Sequence, residues 1–546
     1  MTSKLRRSLR TRTLLAVGLL AAGMGATGMG TVRAEPSADP NDPAALRREL
    51  QAEQARIKEL ERRLDALEAA RHGTGATAGN AQSAQPAQAA SAAAPANPAA
   101  PAPLAPPTPN AIVAIIPPAG AVSPQSTLVG SFGPQGFTLA TADGQNAIHF
   151  RGNLSVDDRE FVDSNTPASA DTLLIRKLRP TLEGTLEGMF DFRFMPDFGQ
   201  GKTVLQDAWG DARIEPWLIV TAGKFKAPVG LERLQLEQFA RFIEPSLTAD
   251  LLPYRDIGVQ LSGALGHGVL GYQAGIFDGA PDGGSSEANS VPDMDSTGKY
   301  TLDARVFSQP FILSDWAALR GLGLGIAGTY VNASGVASVT VSGATTTVTT
   351  TSLLSSYKTT GQQPLFSYRG DNAVGFNNAT IASGIERRWV PQAFYYYGSF
   401  GLLGEYVQED QQVARAVAAS VHRAASLTHE AWQIQGYCFL TGEEEGYDRG
   451  KPLRPVGRGG WGAWELVARY HSLSFDPAAF ADGSKSFANP ATAVRAARAY
   501  GLGLNWYLTG NLKIQLDYEH TRFEGGAVMG DRPQEEVLTT QFALIF

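Results

Sequence analysis

The chain ends in EEVLTTQFALIF, and this strand-like terminus constrains the fold more than any other segment. In an extended chain successive side chains point to opposite faces. Leu538, Thr540, Phe542, Leu544 and Phe546 therefore share one face, and Val537, Thr539, Gln541, Ala543 and Ile545 share the other. A terminal aromatic on such a strand suits the closing strand of a membrane β-barrel. Lipid solvates the outer face, and pairing with the first strand removes the open edge.

Residues 1–34 read as a secretory signal peptide. Lys4, Arg6, Arg7, Arg10 and Arg12 form a basic region, Leu14 to Leu20 an apolar one, and Val32-Arg33-Ala34 a cleavage site. The apolar run dissolves early into Gly, Ala and Thr, which argues against a retained anchor. No later stretch approaches the ~18–20 continuous apolar residues of a spanning helix. Cys438 is the single cysteine, which excludes a disulfide scaffold. A net charge of -7 argues against a nucleic-acid partner. It leaves the sign of a lumen open, because that is set by the lining charges. The mean hydropathy of -0.14 fits soluble domains, and equally a barrel whose two faces average out.

Three segments come after the leader. Residues 42–71 place Leu46, Leu50, Glu53, Ile57, Leu60, Leu64 and Leu67 at alternating four- and three-residue steps, the seam of a short coiled-coil helix. Self-association or docking on the chain's own barrel would each cover that seam. Residues 72–131 are rich in Ala, Pro, Gln and Gly, an extended and disordered linker. From residue 144 to 546 two-residue periodicity predicts an all-β domain, a transmembrane antiparallel β-barrel. Leu512, Ile514, Leu516 and Tyr518 oppose Lys513, Gln515, Asp517 and Glu519. Tyr500, Leu502, Leu504 and Trp506 oppose Gly501, Gly503, Asn505 and Tyr507, and Trp464, Leu466, Ala468 and Tyr470 oppose Glu465, Val467, Arg469 and His471. Leu182, Leu186, Phe190, Phe192 and Phe194 read as one run opposing Glu183, Glu187, Asp191 and Arg193, ended by Met195 and Pro196. Trp506, Tyr507, Tyr518 and Tyr395-Tyr396-Tyr397 are placed as an interfacial girdle. Very short turns alternate with long polar stretches, such as 278–299 and 332–357, as periplasmic turns and extracellular loops would.

Basic residues cluster twice. In TLLIRKLRPTLEG, Lys177 and Arg179 face the lumen if Leu178 and Leu182 face lipid. Parity then leaves Arg176 on the lipid side unless a bulge shifts the register. After a strand ending near Gly223, the chain continues GKFKAPVGLERLQLEQFARFIEPSLTADLLPYRD, too long for a turn and without alternation. It carries Lys224, Lys226, Arg233, Arg241 and Arg255 among Leu and Phe residues. Folded into the barrel, it would set these cations where water is restricted and could replace an anion's hydration. As an extracellular loop it would meet only solvent or lipopolysaccharide. Asp207, Asp211, Glu183 and Glu187 are expected to share the lumen. The histidines show no metal-ligand spacing and no nucleophile elbow accompanies them, so neither enzyme, metal nor cofactor is expected.

The segments RKLRPTLEGTLEGMFDFRFMPDFG, LQDAW, GKFKAPVGLE, GAWELVARYHSL and GLGLNWYLTGNLKIQLDYEHTRF together resemble the phosphate-selective porin O and P family. The resemblance implies a barrel of sixteen strands, assembled as a homotrimer in a Gram-negative outer membrane among lipid and lipopolysaccharide. It implies an inward third loop and a lumen that passes inorganic anions such as phosphate or polyphosphate. On this chain the inward loop is GKFKAPVGLE together with the residues after it. Lys224, Lys226, Arg233, Arg241 and Arg255 become constriction donors, Arg176, Lys177 and Arg179 strand-borne partners, and Asp207 the acid that tempers affinity. On the later strands only Arg305 and Arg469 stand out as inward-facing cations. Three other functions compete: a tether whose coiled coil contacts the cell wall, a general non-selective porin, and an outer-membrane lipid hydrolase.

Overall fold

The computed structural model describes residues 128–133, 136–162, 171–279, 299–342, 345–370, 372–373, 376–418, 421–448 and 450–546. The signal peptide, the coiled-coil segment and the linker up to residue 127 lie outside the described residues. So does most of the stretch 278–299.

A hairpin comes first, β1 (Leu128–Gly133) with β2 (Gly136–Thr141). It takes in the last four residues of the expected linker and precedes the expected start of the barrel. Its outward Phe132 and Phe137 are among the exposed apolar side chains. The wall then runs through β3 (Ala147–Phe161), β4 (Thr172–Leu186), β5 (Phe190–Asp197), β6 (Val204–Glu215), β7 (Leu218–Lys226), β8 (Arg255–Leu265), β9 (Leu270–Phe277), β10 (Thr301–Ser308) and β11 (Leu322–Ser334). An insertion at the loop end forms the hairpin β12 (Val336–Ser342) and β13 (Thr345–Thr351), and the short pairs β14 (Tyr357–Lys358) with β15 (Pro364–Phe366) and β16 (Asn372–Ala373) with β17 (Phe376–Asn377). Part of the expected loop 332–357 is thus strand. The wall resumes with β18 (Thr380–Tyr397), β19 (Phe400–Ala418), β20 (Val421–Phe439), β21 (Ala463–Ser474), β22 (Val494–Tyr507), β23 (Leu512–Gly525) and β24 (Glu535–Ile545).

β24 pairs with β3 from Val537↔Phe161 to Ile545↔Asn153, which closes a barrel of 16 antiparallel strands. Phe546 completes the seam. Its amide and carbonyl exchange hydrogen bonds with Gly152. Its ring covers Gly152, where an added Cβ would lie 2.7 Å from the ring. A larger residue there would have to displace that ring.

The side-chain distribution is the inverse of a soluble protein's. Leu502 and Ile326 are 54% and 53% exposed, while Asn505, Glu465 and His471 are fully buried. Alternating strands put the apolar set outside and the polar set in the lumen, an arrangement that only hydrocarbon around the barrel stabilises.

Four local expectations need correction. The run from Leu182 to Phe194 is two strands joined by a turn in which Glu187 and Gly188 adopt φ of 52° and 66°. Glu187 is therefore an exposed turn residue, outside the lumen. Met195 and Pro196 lie within β5, where a bulge accommodates them. Of the proposed girdle, Tyr396 and Tyr507 are buried on the lumen face and Tyr518 sits mid-strand. Trp506 does lie at a strand end, stacked on Trp464 with centroids 4.9 Å apart.

Both ends of β3–β24 pairing define a turn end, with tight connections at 187–189, 216–217 and 398–399, and a loop end with 227–254, 335–379 and 475–493. One connection breaks the expected asymmetry. Residues 440–462 leave the turn end and rise into the lumen. The wall is also uneven in height: β18, β19 and β20 have 18, 19 and 19 residues, whereas β5, β9 and β10 have 8 each.

Candidate functional site

The loop 227–254 folds into the barrel. Its short helix (Leu231–Leu234) and two single turns (Glu237–Phe239 and Leu247–Leu251) bury Leu231, Phe242, Leu247 and Leu251. Backbone groups that a loop cannot pair with itself are met by the wall. Glu405 accepts from the Leu231 and Glu232 amides at 2.7 and 3.4 Å, Asp517 from Ile243 at 2.7 Å, and His471 Nδ1 from Leu247 at 2.9 Å. From below, the segment 440–462 meets it. Tyr447 O accepts from Gln235, Asp448 accepts from the Leu236 amide at 3.1 Å, and Tyr447 OH donates to Leu231 O.

The structure distributes the nine singled-out residues into different settings. Arg176 is not on the lipid side. A bulge opposite Ser155/Val156 resets the register of β4, so Arg176 and Lys177 both turn inward. Arg176 is 4% exposed and pairs with Glu244 at 2.9 Å. Arg159 approaches the same carboxylate at 3.0 Å. Burial pushes Glu244 up, but the Arg176 charge and hydrogen bonds outweigh it and hold this carboxyl below its usual range.

Lys177 reaches Glu237 at 3.4 Å, and Arg179 holds both Glu237 and, at 2.6 Å, Asp197. Arg255 lies 2.7 Å from Asp207 and 3.5 Å from Glu237. Lys226 and Arg255 are strand ends of β7 and β8, paired in register, and not loop residues. Lys226 donates to Gln235 O at 2.8 Å. Arg233 donates to Ala249 O at 2.8 Å and lies over the Tyr254 ring.

Two residues leave the expected conduit. Lys224 shares its face of β7 with Val220 and Ala222, opposite the outward Ile257 of β8. Its pairing with the exposed Ile257 sets it on the outer wall, whereas Lys226 and Arg255, at the strand ends, turn in to the lumen. β7 runs close to β6 just before it, at Gly223, whose φ is 126° and where a Cβ would come within 2.2 Å of Ala208 O. Arg241 is fully buried between Glu445 at 2.8 Å and Glu465 at 2.6 Å, bridging the loop, the turn-end segment and β21. It is a structural clamp.

The pattern on β3, β5 and β23 contained lumen residues that were not singled out. Arg151 and Arg193 both bind Glu183, each at 2.8 Å, and Arg193 also faces Asp207 at 3.6 Å. Lys513 donates to Ala240 O at 2.9 Å. Arg305 and Arg469 do face inward, onto Gln392 and Glu519, but Lys513 and Arg388 join them on the later strands. Alternation would have exposed Arg151, because Arg151, Asn153, Ser155 and Asp157 share one face of β3.

Two cavities lie among the inward side chains of β3–β8 and the loop. A cavity of about 130 Å³ lies toward the turn end, bordered by Arg151, Arg193, Asp207 and Ile545. A smaller one of about 50 Å³ lies beyond the loop, bordered by Arg176, Lys177, Arg233 and Tyr254. Lys226 and Glu237 border both. The arrangement lines the two cavities with cationic donors, most of them paired with a carboxylate, while Lys226 and Arg233 are held by backbone carbonyls. Among the described residues no group of His, Cys, Asp and Glu is placed to hold a metal ion.

A family model described as "Phosphate-selective porin O and P" matches residues 148–546. An uncharacterised protein of Caulobacter vibrioides is 24% identical over 520 residues, covering 91% of this chain and 89% of that one. Among solved structures, OmpT, an outer membrane protein of Vibrio cholerae, superposes with a TM-score of 0.43 at 10% identity, covering 74% of this chain and 98% of that one. The outer membrane channel DcaP of Acinetobacter baumannii gives 0.44 at 9% identity, over 74% and 99%.

Proposed function

Since the chain belongs to the phosphate-selective porin O and P family, and is an outer-membrane porin giving passive diffusion, we propose that its lumen favours small anions of the phosphate type. The observation that carries this reading is the series Arg151, Arg193, Arg255, Arg179, Lys177 and Lys226 along the two cavities. Guanidinium forks replace the hydration shell of an oxyanion, and neighbouring acids keep binding weak enough for release. Asp207, held between Arg255 and Arg193, fills that moderating role. Assembly as a homotrimer in lipid and lipopolysaccharide belongs to the same reading, as does periplasmic placement of the N-terminal region.

Lys226 provides the test, because it borders both cavities. In planar bilayers under a salt gradient, the wild type should give an anion-side reversal potential, and Lys226→Glu should move it toward cations. An unchanged potential would take Lys226 out of the route. Cation preference in the wild type would remove anion selectivity and leave the channel.

A further inference from the structure

The Glu237 carboxylate occupies the place where an anion would be best bound. Five donors from four elements surround it. Arg179 contacts Oε1, Arg255 lies at 3.5 Å and Tyr254 OH at 3.4 Å from the same oxygen. Lys177 lies 3.4 Å and the Asn153 amide 3.3 Å from Oε2. The guanidinium of Arg255 keeps a buried N–H, on Nη1, that no described group accepts. Glu237 itself sits on a single helical turn of the inward loop and not on a wall strand.

We infer that Glu237 is an internal stand-in for the permeating oxyanion, held in a site that phosphate or a carboxylate must take over to pass. The inference rests on the anion-conduit reading. Three cations, Lys177, Arg179 and Arg255, face three carboxylates, Asp197, Asp207 and Glu237. Asp197 and Asp207 are on the wall, on β5 and β6, whereas Glu237 is on the loop. Only the loop carboxylate can exchange for a mobile anion while the wall keeps its own pairs. Chloride offers one centre of charge and cannot span the cage as a two-oxygen group does, so oxyanions should compete best.

Single-channel recordings with inorganic phosphate as the probe test this. Glu237→Gln should shift the reversal potential toward anions and make phosphate block the chloride current at several-fold lower concentration than in the wild type. Glu232→Gln removes the same charge from a carboxylate that borders only the smaller cavity, where it accepts from Ser246, Gln433 and Gln435 and has Arg469 at 3.9 Å, outside the Glu237 cage. It should leave the strength of phosphate block near the wild-type level. Equal block in Glu237→Gln and the wild type overturns the inference, and so does tightening of the same size in Glu232→Gln. If Glu237→Gln does not form a heat-modifiable barrel, Glu237→Asp, whose carboxylate falls short of the cage, should change block in the same direction, and no change there overturns the inference. A wild type that prefers cations defeats the anion reading instead, which keeps the two failures apart.

Discussion

Arg241 and Arg179 illustrate how the same side chain takes different roles according to what surrounds it. Arg241 is enclosed by Glu445 and Glu465 with no exposed side-chain surface on any of the three. Arg179 is equally buried but borders the larger cavity. Removing one member of a buried ionic cluster leaves its partners buried and unpaired, at a cost of about 3–5 kcal/mol. Arg241→Met should therefore destabilise the heat-modifiable barrel by that order, read as a lower denaturant midpoint, and adding Glu445→Gln and Glu465→Gln should recover most of it. A midpoint equal to the wild type's would mean the clamp contributes nothing. At this scale the sequence was only partly legible. Parity placed Lys177 and Arg179 correctly. It failed at Arg176 because one bulge reverses all faces beyond it, and at Lys224 because the strand extends past Gly223 and pairs Lys224 with the exposed Ile257.

Two elements fill the barrel from opposite ends, the loop 227–254 and the segment 440–462. The length and lack of alternation of the first were visible in the sequence. The second was not recognised, because its role depends on Glu445, Tyr447 and Asp448 meeting a loop some two hundred residues earlier. Burial pushes the Asp448 carboxyl up to about 6, and pushes Glu445 above its usual range, with the adjacent Glu465 adding to the rise against the pull of Arg241. A raised carboxyl pKa means the docked state holds a proton that a solvated carboxyl, near pH 4, has released. Docking is then fully favoured below about pH 4 and weakens as pH rises, through about 6 at Asp448 and through about 8 at Glu445. Hydrogen exchange over residues 443–448, corrected for the intrinsic rate, should be faster at pH 8 than at pH 5. Slower exchange at pH 8 would contradict the assignment.

For the molecule as a whole, one rule was legible from end to end: apolar and polar faces alternate, so the outer face needs hydrocarbon. The closing strand, the outward Leu502 and Leu516, and the inward Gln515 and Glu519 all obey it. Strand number did not emerge from the pattern, since short strands such as β5 and β9 carry too few repeats to be counted separately, and it came from family resemblance. Leu502→Arg, on the outward face in mid-β22, should cost about 2–4 kcal/mol in folding into lipid vesicles, as charges near the bilayer centre do. A loss under half of that would place Leu502 away from the membrane core. The uneven wall has an electrical consequence. Both cavities run along β3–β8, where several strands are short, while the tallest strands, β18–β20, stand on the far side. On the proposed anion route, Glu237 and Lys226 border both cavities on this short-stranded side, and that is where resistance to ion flow would concentrate.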